Sequence, residues 1–385
     1  MRILLSNKFY YSRGGDCIYT MSLEKLLKSH GHEVAIFSMQ YPDNIQSEWS
    51  RYWPSEMTKT KALTRPFGDG ETRKKFTEIL DAFRPDVVHL NNIHTQLSPI
   101  IAEIAHRKGI KVVWTLHDYK LVCPRYDCLQ NGIKICEECF TNKKAILKHS
   151  CLKNSKLASI VGYIEARKWN RERLLGCVDT FICPTKFMAD IMTKNGYDNE
   201  KIYALHHFMN LDLSNEQPEP RQDYYCFLGR LSHEKGIATL IEAANQLPYK
   251  LIIIGNGPQK EVLEAKSKSN VEFVGFKQWP EIKKYLSHAK FMVTPSEWYE
   301  VFGLVNMEAL CLGTPVLGAR IGGIPELIDE GINGMTFKSG DANDLSEKIC
   351  LMMSATFNYQ TIAETAQKKY SEESYYEKLM EIYRH

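Results

Sequence analysis

Tyr224-Tyr225-Cys226-Phe227-Leu228-Gly229-Arg230-Leu231-Ser232-His233-Glu234-Lys235-Gly236 is a short apolar, β-prone run that ends in a glycine turn with two cations. From 237 to 246 the apolar residues take helical spacing. A strand that turns tightly into a helix is half of a parallel β-α-β unit, and the pattern recurs downstream. Residues 250–254, 271–274, 291–294 and 315–317 read as four more strands, each leading into a helical stretch. Upstream, 2–6, 33–38, 87–91, 111–116 and 180–183 read as strands, and 17–30, 73–83 and 97–108 as helices between them. Several strands are apolar throughout, as parallel strands covered on both faces are. The expectation is an α/β fold of two doubly wound parallel-sheet domains. The polar segment 210–223, with Pro218 and Pro220, reads as the linker. Ligands of open α/β sheets bind beyond the carboxyl ends of the strands, so the cleft between two such domains is where the site is expected.

Length and composition agree. A chain of 385 residues is too long for one ordinary core. Hydrophobic residues make up 44% and charged residues 25%, a globular balance that excludes wholesale disorder. No apolar run approaches the ~18 residues of a membrane span. The amino terminus, Met1 to Ser6, turns polar too soon for a signal peptide, so a cytosolic enzyme is expected. Net charge is only +3, yet residues 1–205 carry 31 Lys and Arg against 22 Asp and Glu, and the rest of the chain is acidic. The excess concentrates between Lys143 and Arg173, where Glu165 and Glu172 stand alone among basic residues. Such a patch suits an anionic surface or ligand; a solvated helix face is the plain alternative.

Two stretches carry chemistry. In Gly229 to Gly236, Arg230 and Lys235 stand beside a helix start whose free N–H groups favour anions, although a turn with exposed cations would look similar. In Pro295-Ser296-Glu297-Trp298-Tyr299-Glu300-Val301-Phe302-Gly303-Leu304-Val305-Asn306-Met307-Glu308, Glu300 falls in a loop and Glu308 inside the following helix. Gly303 lets backbone N–H groups approach a phosphate. An acidic cap plus a surface glutamate is the commonplace alternative.

These segments resemble glycosyltransferase family 4, the retaining, nucleotide-sugar-dependent enzymes of the GT-B fold, with two Rossmann-like domains facing a central cleft. The first is similar to the family's G-R-L-x-x-E-K-G and the second to its E-x7-E motif. Ile254-Gly255-Asn256-Gly257-Pro258, Gly313-Thr314-Pro315-Val316 and Gly322-Gly323-Ile324-Pro325-Glu326 resemble I-G-x-G-P, G-T-P-V and G-G-x-P-E, in family order. In the amino-terminal half, Gly14-Gly15 and Thr115-Leu116-His117-Asp118 resemble its glycine loop and T-x-H-D, and Asn210-Leu211-Asp212 a worn N-G-V-D hinge.

The resemblance implies an acceptor-binding domain over 1–207, a donor-binding domain over 208–370, and a last helix within 371–385 that packs back on the first. It implies that Arg230 and Lys235 grip the donor diphosphate with the N–H groups of Gly303 and Leu304. Glu308 would hold the ribose, Glu300 the transferred sugar and His117 that sugar from the other domain. Gly14 and Gly15 would line the donor site, and Gly255, Asn256 and Phe276 would lie near the base. The implied reaction moves a sugar, from a UDP-sugar or a GDP-sugar, to a glycan or polyprenyl-diphosphate-linked acceptor in O-antigen or capsule synthesis. Catalysis would need no metal cofactor, and no Asp-x-Asp pair for a metal-nucleotide complex occurs. The expected setting is the cytoplasm, at the inner membrane face, where the basic patch would meet anionic head groups; no nucleic acid is expected as a partner. A GT-B 2-epimerase of nucleotide sugars and a non-catalytic nucleotide-sugar-binding protein are the alternatives.

Five of the eleven cysteines fall within 123–151. Cys123, Cys128, Cys136 and Cys139 have spacing that can close a tetrahedral structural zinc site, with Cys151 able to replace any of them. Free thiols in a compact loop, or a redox pair, are the alternatives.

Overall fold

The computed structural model describes residues 1–209 and 220–385. Most of the expected linker and the hinge at Asn210, Leu211 and Asp212 lie outside the described residues. The chain divides into two compact units. One comprises Met1–Asn131, Cys136–His207 and Tyr375–His385, the other Gly132–Ile135 and Phe208–Ser374.

The first unit is built on β1 (Arg2–Ser6), β2 (Glu33–Phe37), β3 (Val87–Leu90) and β4 (Lys111–Thr115). After β4 comes the cysteine-rich insert with a two-stranded hairpin, β5 (Leu129–Gln130) and β6 (Lys134–Ile135). Then β7 (Thr180–Cys183) and β8 (Ile202–Ala204) complete a sheet of order β2-β1-β3-β4-β7-β8, parallel throughout. The second unit holds β9 (Tyr224–Leu228), β10 (Lys250–Ile254), β11 (Val271–Gly275), β12 (Met292–Thr294), β13 (Val316–Ala319) and β14 (Gly334–Phe337). Their order is β11-β10-β9-β12-β13-β14, again all parallel. Each is a doubly wound α/β unit.

The apolar runs explain the burial. Ile3, Leu4 and Leu5 in β1 and Leu251, Ile253 and Ile254 in β10 are fully enclosed. The order in which strands are added reverses between β1 and β3 in one sheet and between β9 and β12 in the other. The loops leaving the strands there diverge to opposite faces and open a crevice at the carboxyl edge. In the second unit the loops flanking that crevice are the one after β9 and the one after β12. These are the two stretches singled out from sequence.

One expectation needs correcting. No α-helix follows β13: a 3-10 turn, Ile324–Leu327, leads to β14 instead. Pro325 in its first turn lacks an N–H, and the chain turns back too soon for an α-helix. No described helix is long and apolar enough to cross a membrane.

Candidate active site

In the second unit the loop after β9 ends in the 3-10 turn His233–Lys235, and Gly236 starts the helix Ile237–Ala244. Gly236 has φ +68°, and a Cβ there would lie 1.8 Å from the carbonyl oxygen of Pro295. Only glycine lets the two site loops approach so closely. The Glu297 N–H also donates to the Glu234 carbonyl (2.9 Å). This contact sets the position of Lys235, whose ammonium pairs with Glu300 at 2.7 Å and lies 5.1 Å from the centre of the Trp298 ring. The same Glu300 oxygen, Oε2, accepts from Trp298 Nε1 (3.0 Å) and Ser296 Oγ (3.3 Å). Its other oxygen has no hydrogen-bond partner among the described residues.

Gly303 (φ +84°) begins the helix Leu304–Cys311. A side chain at 303 would lie 2.8 Å from Asn306 Nδ2, so the left-handed start and the crowding both select glycine. Glu308 lies within this helix, half-buried, and its carboxyl has no hydrogen-bond partner among the described residues. Burial pushes its carboxyl up to about 7. Arg230 is exposed, with no ion pair among the described residues. The Gly255–Asn256 turn follows β10, where the Asn256 carbonyl accepts from Leu231 N–H (2.9 Å). Phe276, just past β11, is 70% exposed, unusual for a ring that size. Thus Lys235 and Glu300 touch, whereas Arg230, Glu308 and Phe276 make no hydrogen bond or ion pair to them.

In the first unit, Gly14 caps the helix Gly15–Ser29 without a side chain. Behind it Asp16 accepts from Asn92 (3.0 Å), and Lys8 donates to Asn92 (2.9 Å). His117 follows β4. Its Nε2 is 3.1 Å from Asn91 Oδ1, and its ring stacks on His207 at 5.5 Å and meets the edge of Tyr19 at 5.0 Å. Burial lowers its pKa to about 4, so the ring is neutral near pH 7. Sequence reasoning missed Asn91, His207, Tyr19 and the role of Trp298. The signal that could have found Asn91 and Trp298 is their place just after a strand at a switch point.

Within the insert, the Cys123 side chain hydrogen-bonds with those of Cys128 and Cys139, which holds its thiol far below the ordinary range and pushes the two partners up. Cys136 is half-buried and its N–H bonds to the Cys128 carbonyl (2.8 Å). Among the described residues no group of three or more His, Cys, Asp or Glu is arranged to hold a metal ion.

The family model for glycosyltransferase family 4 matches residues 13–213, and that for glycosyl transferases group 1 matches residues 212–369. The chain belongs to glycosyltransferase family 4. A 42.6 kDa protein in the cps region of Klebsiella pneumoniae is 24% identical over 354 residues, 85% of this chain and 87% of that protein. The match to glycosyltransferase MJ1178 of Methanocaldococcus jannaschii, at 26% identity, covers 52% of this chain and 56% of that protein's length. Among solved structures, sucrose-phosphate synthase from Thermosynechococcus elongatus superposes with TM-score 0.72 at 21% identity, covering 100% of this chain and 98% of that one. Anabaena Alr3699/HepE in complex with UDP gives 0.65 at 16%, covering 99% of each. At these identities the likeness establishes the GT-B fold of this family-4 chain and nothing finer.

Proposed function

We propose that this family-4 chain is a retaining, metal-independent glycosyltransferase acting in cell-surface polysaccharide synthesis, and that its donor is a nucleotide diphosphate sugar, a UDP-sugar before a GDP-sugar. The observation that carries the reading is the Lys235–Glu300 pair beside a glycine-started helix at the switch point of the second sheet. Arg230 and Lys235 take the diphosphate, and the free N–H groups at the start of the Leu304–Cys311 helix add their dipole. Negative charge grows on that diphosphate as the sugar leaves, so fixed cations favour the transition state over the ground state. The unshared oxygen of Glu300 accepts from sugar hydroxyls, Glu308 from the ribose diol, and Phe276 offers a face to the base. The acceptor oxygen attacks the anomeric carbon on the face the phosphate leaves. The carbon–oxygen bond to phosphate breaks as the new one forms, and the acceptor proton passes to the departing phosphate oxygen.

The UDP bound in HepE and the cps-region relative support donor and pathway. The acceptor is a glycan or a polyprenyl-diphosphate-linked glycan. The same reading gives the cysteine insert a structural zinc, with Cys123, Cys128, Cys136 and Cys139 as ligands. A melting-temperature screen against UDP-sugars and GDP-mannose tests the donor, since a ligand that binds only the folded state raises its stability. The expected result is a shift with one UDP-sugar and release of UDP from it on incubation; no shift with any nucleotide sugar overturns the proposal.

A further inference from the structure

Asn91 is the first residue after β3, at the carboxyl edge where the order of strand addition reverses in the first sheet. Its backbone is fixed by three hydrogen bonds. The N–H donates to the Ser6 carbonyl of β1 at 2.9 Å, and the carbonyl accepts from Trp114 Nε1 of β4 at 2.9 Å and from the Ile93 N–H at 3.1 Å. Trp114 is fully enclosed and Asn91 is buried, so the carboxamide starts from a rigid base. Its two ends differ. Oδ1 lies 3.1 Å from His117 Nε2. Nδ2 is enclosed and has no hydrogen-bond partner among the described residues. An enclosed N–H without a partner costs stability, and a leucine would fill the place without that cost. Packing alone does not account for the asparagine; its bond to His117 does.

The imidazole is held as closely. His207 stacks on it at 5.5 Å with an interplanar angle of 15°, and the edge of Tyr19 meets it at 5.0 Å. Tyr19 is itself tied to Tyr375 and lies 3.4 Å from Thr115 Oγ1. Burial keeps the His117 ring neutral near pH 7; Asp16 and Asp118 act against it and Lys8 with it. The buried rings of His89, His94 and His207 are lowered too and add no charge there. A neutral imidazole has one N–H and one lone pair, and the partner of one nitrogen decides the role of the other. Facing Oδ1, an acceptor, Nε2 carries the proton. Nδ1 keeps the lone pair, makes no hydrogen bond among the described residues and is not enclosed.

We propose that Asn91 is a positioning residue that fixes His117 in its Nε2–H form, leaving Nδ1 as an acceptor for a ligand hydroxyl. A ligand with hydrogen or fluorine in place of that hydroxyl cannot donate, so the pair selects for the hydroxyl. Assigning the hydroxyl to a carbohydrate rests on the glycosyltransferase reading; the place of the proton on His117 does not.

Two measurements on the full-length protein test this. The first is nitrogen NMR of histidine-labelled protein, with the His117 signals identified by their loss in His117→Gln. A protonated Nε2 and a bare Nδ1 are expected at pH 7; a proton on Nδ1 overturns the proposal, whatever the chain catalyses. The second is kcat/KM with the nucleotide sugar found in the donor screen. Asn91→Leu is expected to lose about tenfold. Asn91→Asp keeps an acceptor against Nε2 and adds a charge that favours imidazolium, so the His117 pKa should rise. That variant is expected to approach wild type at pH 8 and to fall away from it as pH is lowered, in step with the His117 titration seen by NMR, because imidazolium has no lone pair to offer. The ratio to wild type cancels the titration of Glu308. Activity that persists where the spectra show His117 charged overturns the proposal, and so does an unshifted His117 in Asn91→Asp. If no nucleotide sugar is turned over, the donor reading fails while the spectra still decide this one.

Discussion

Arg230 and Lys235 stand five residues apart, yet only Lys235 is engaged, held by Glu300 and Trp298. Arg230 is a spare cation on the surface. Its removal should therefore leave the fold intact and, on the proposed reading, take away only charge that serves the leaving diphosphate. Arg230→Ala is expected to lower kcat by about 10²–10³, some ~2.7–4 kcal/mol of barrier, with an unchanged melting temperature. Unaltered transfer by that variant would remove Arg230 from the mechanism. Glu308 behaves differently because burial raises its pKa to about 7. The folded chain then binds more protons than the unfolded chain between the ordinary glutamate range and pH 7, so this group costs stability as pH rises through that window. Glu308→Gln should gain in melting temperature relative to wild type at pH 8 compared with pH 5. Under the proposed ribose contact the hydroxyls need the ionised acceptor, so wild-type donor affinity is expected to rise with pH through about 7. The glutamine variant should bind more weakly, by about 1.5–3 kcal/mol, with a flat profile; calorimetric titration of the donor at several pH values checks both.

Among the elements, the carboxyl-terminal helix Glu372–Arg384 is tied down by polar contacts as well as by its apolar face. Tyr375 hydrogen-bonds to Tyr19, and Tyr383 to His89, whose other nitrogen meets Thr115 of β4 at 2.7 Å. His89 is wholly enclosed, so a missing partner there has no water to replace it. Tyr383→Phe is expected to destabilise the first unit by about 1–3 kcal/mol, read by urea unfolding. The zinc proposed for the cysteine insert requires its thiols to move, since no described group of three or more is arranged to hold a metal ion. Protein purified without chelator is expected to carry about one zinc per chain under the four-thiolate reading; no stoichiometric metal ends that reading. Strands are legible where apolar residues run on without a break, as in β1, β9 and β10. β8 and β14 are not legible in this way. β8 has three residues and two are exposed; β14 starts with glycine. Neither has the unbroken apolar signature of an interior parallel strand.

At the scale of the molecule, titration falls unevenly on the two units. His89 and His94 are pushed down to about 3 and His117 to about 4, and His207 is also lowered, all by burial in the first unit. Each is neutral when folded and takes up a proton once unfolded, so their contribution is complete above the ordinary histidine range and is lost as pH falls below it. The first unit is expected to unfold ahead of the second when pH is lowered from 7 to 5. Hydrogen exchange resolved by segment reads this directly, and simultaneous loss of protection in both units would count against it.

The sequence alone determined the class of the fold, the loops that carry the site and the family, because each depends on local facts. Those facts are apolar runs of strand length, helical spacing and short glycine-bearing motifs after strands. Tertiary structure decided which polar groups meet. Glu300 finds Lys235 across 65 residues, and His117 finds Asn91 and His207, through loops that only sheet order brings to one edge. It also decided which face of the Lys156–Lys168 helix looks outward, with Ser159, Gly162 and Glu165 buried and Leu157, Ile160 and Ile164 exposed. A helical period specifies that an apolar stripe exists, but only contacts made elsewhere in the chain determine whether that stripe is covered.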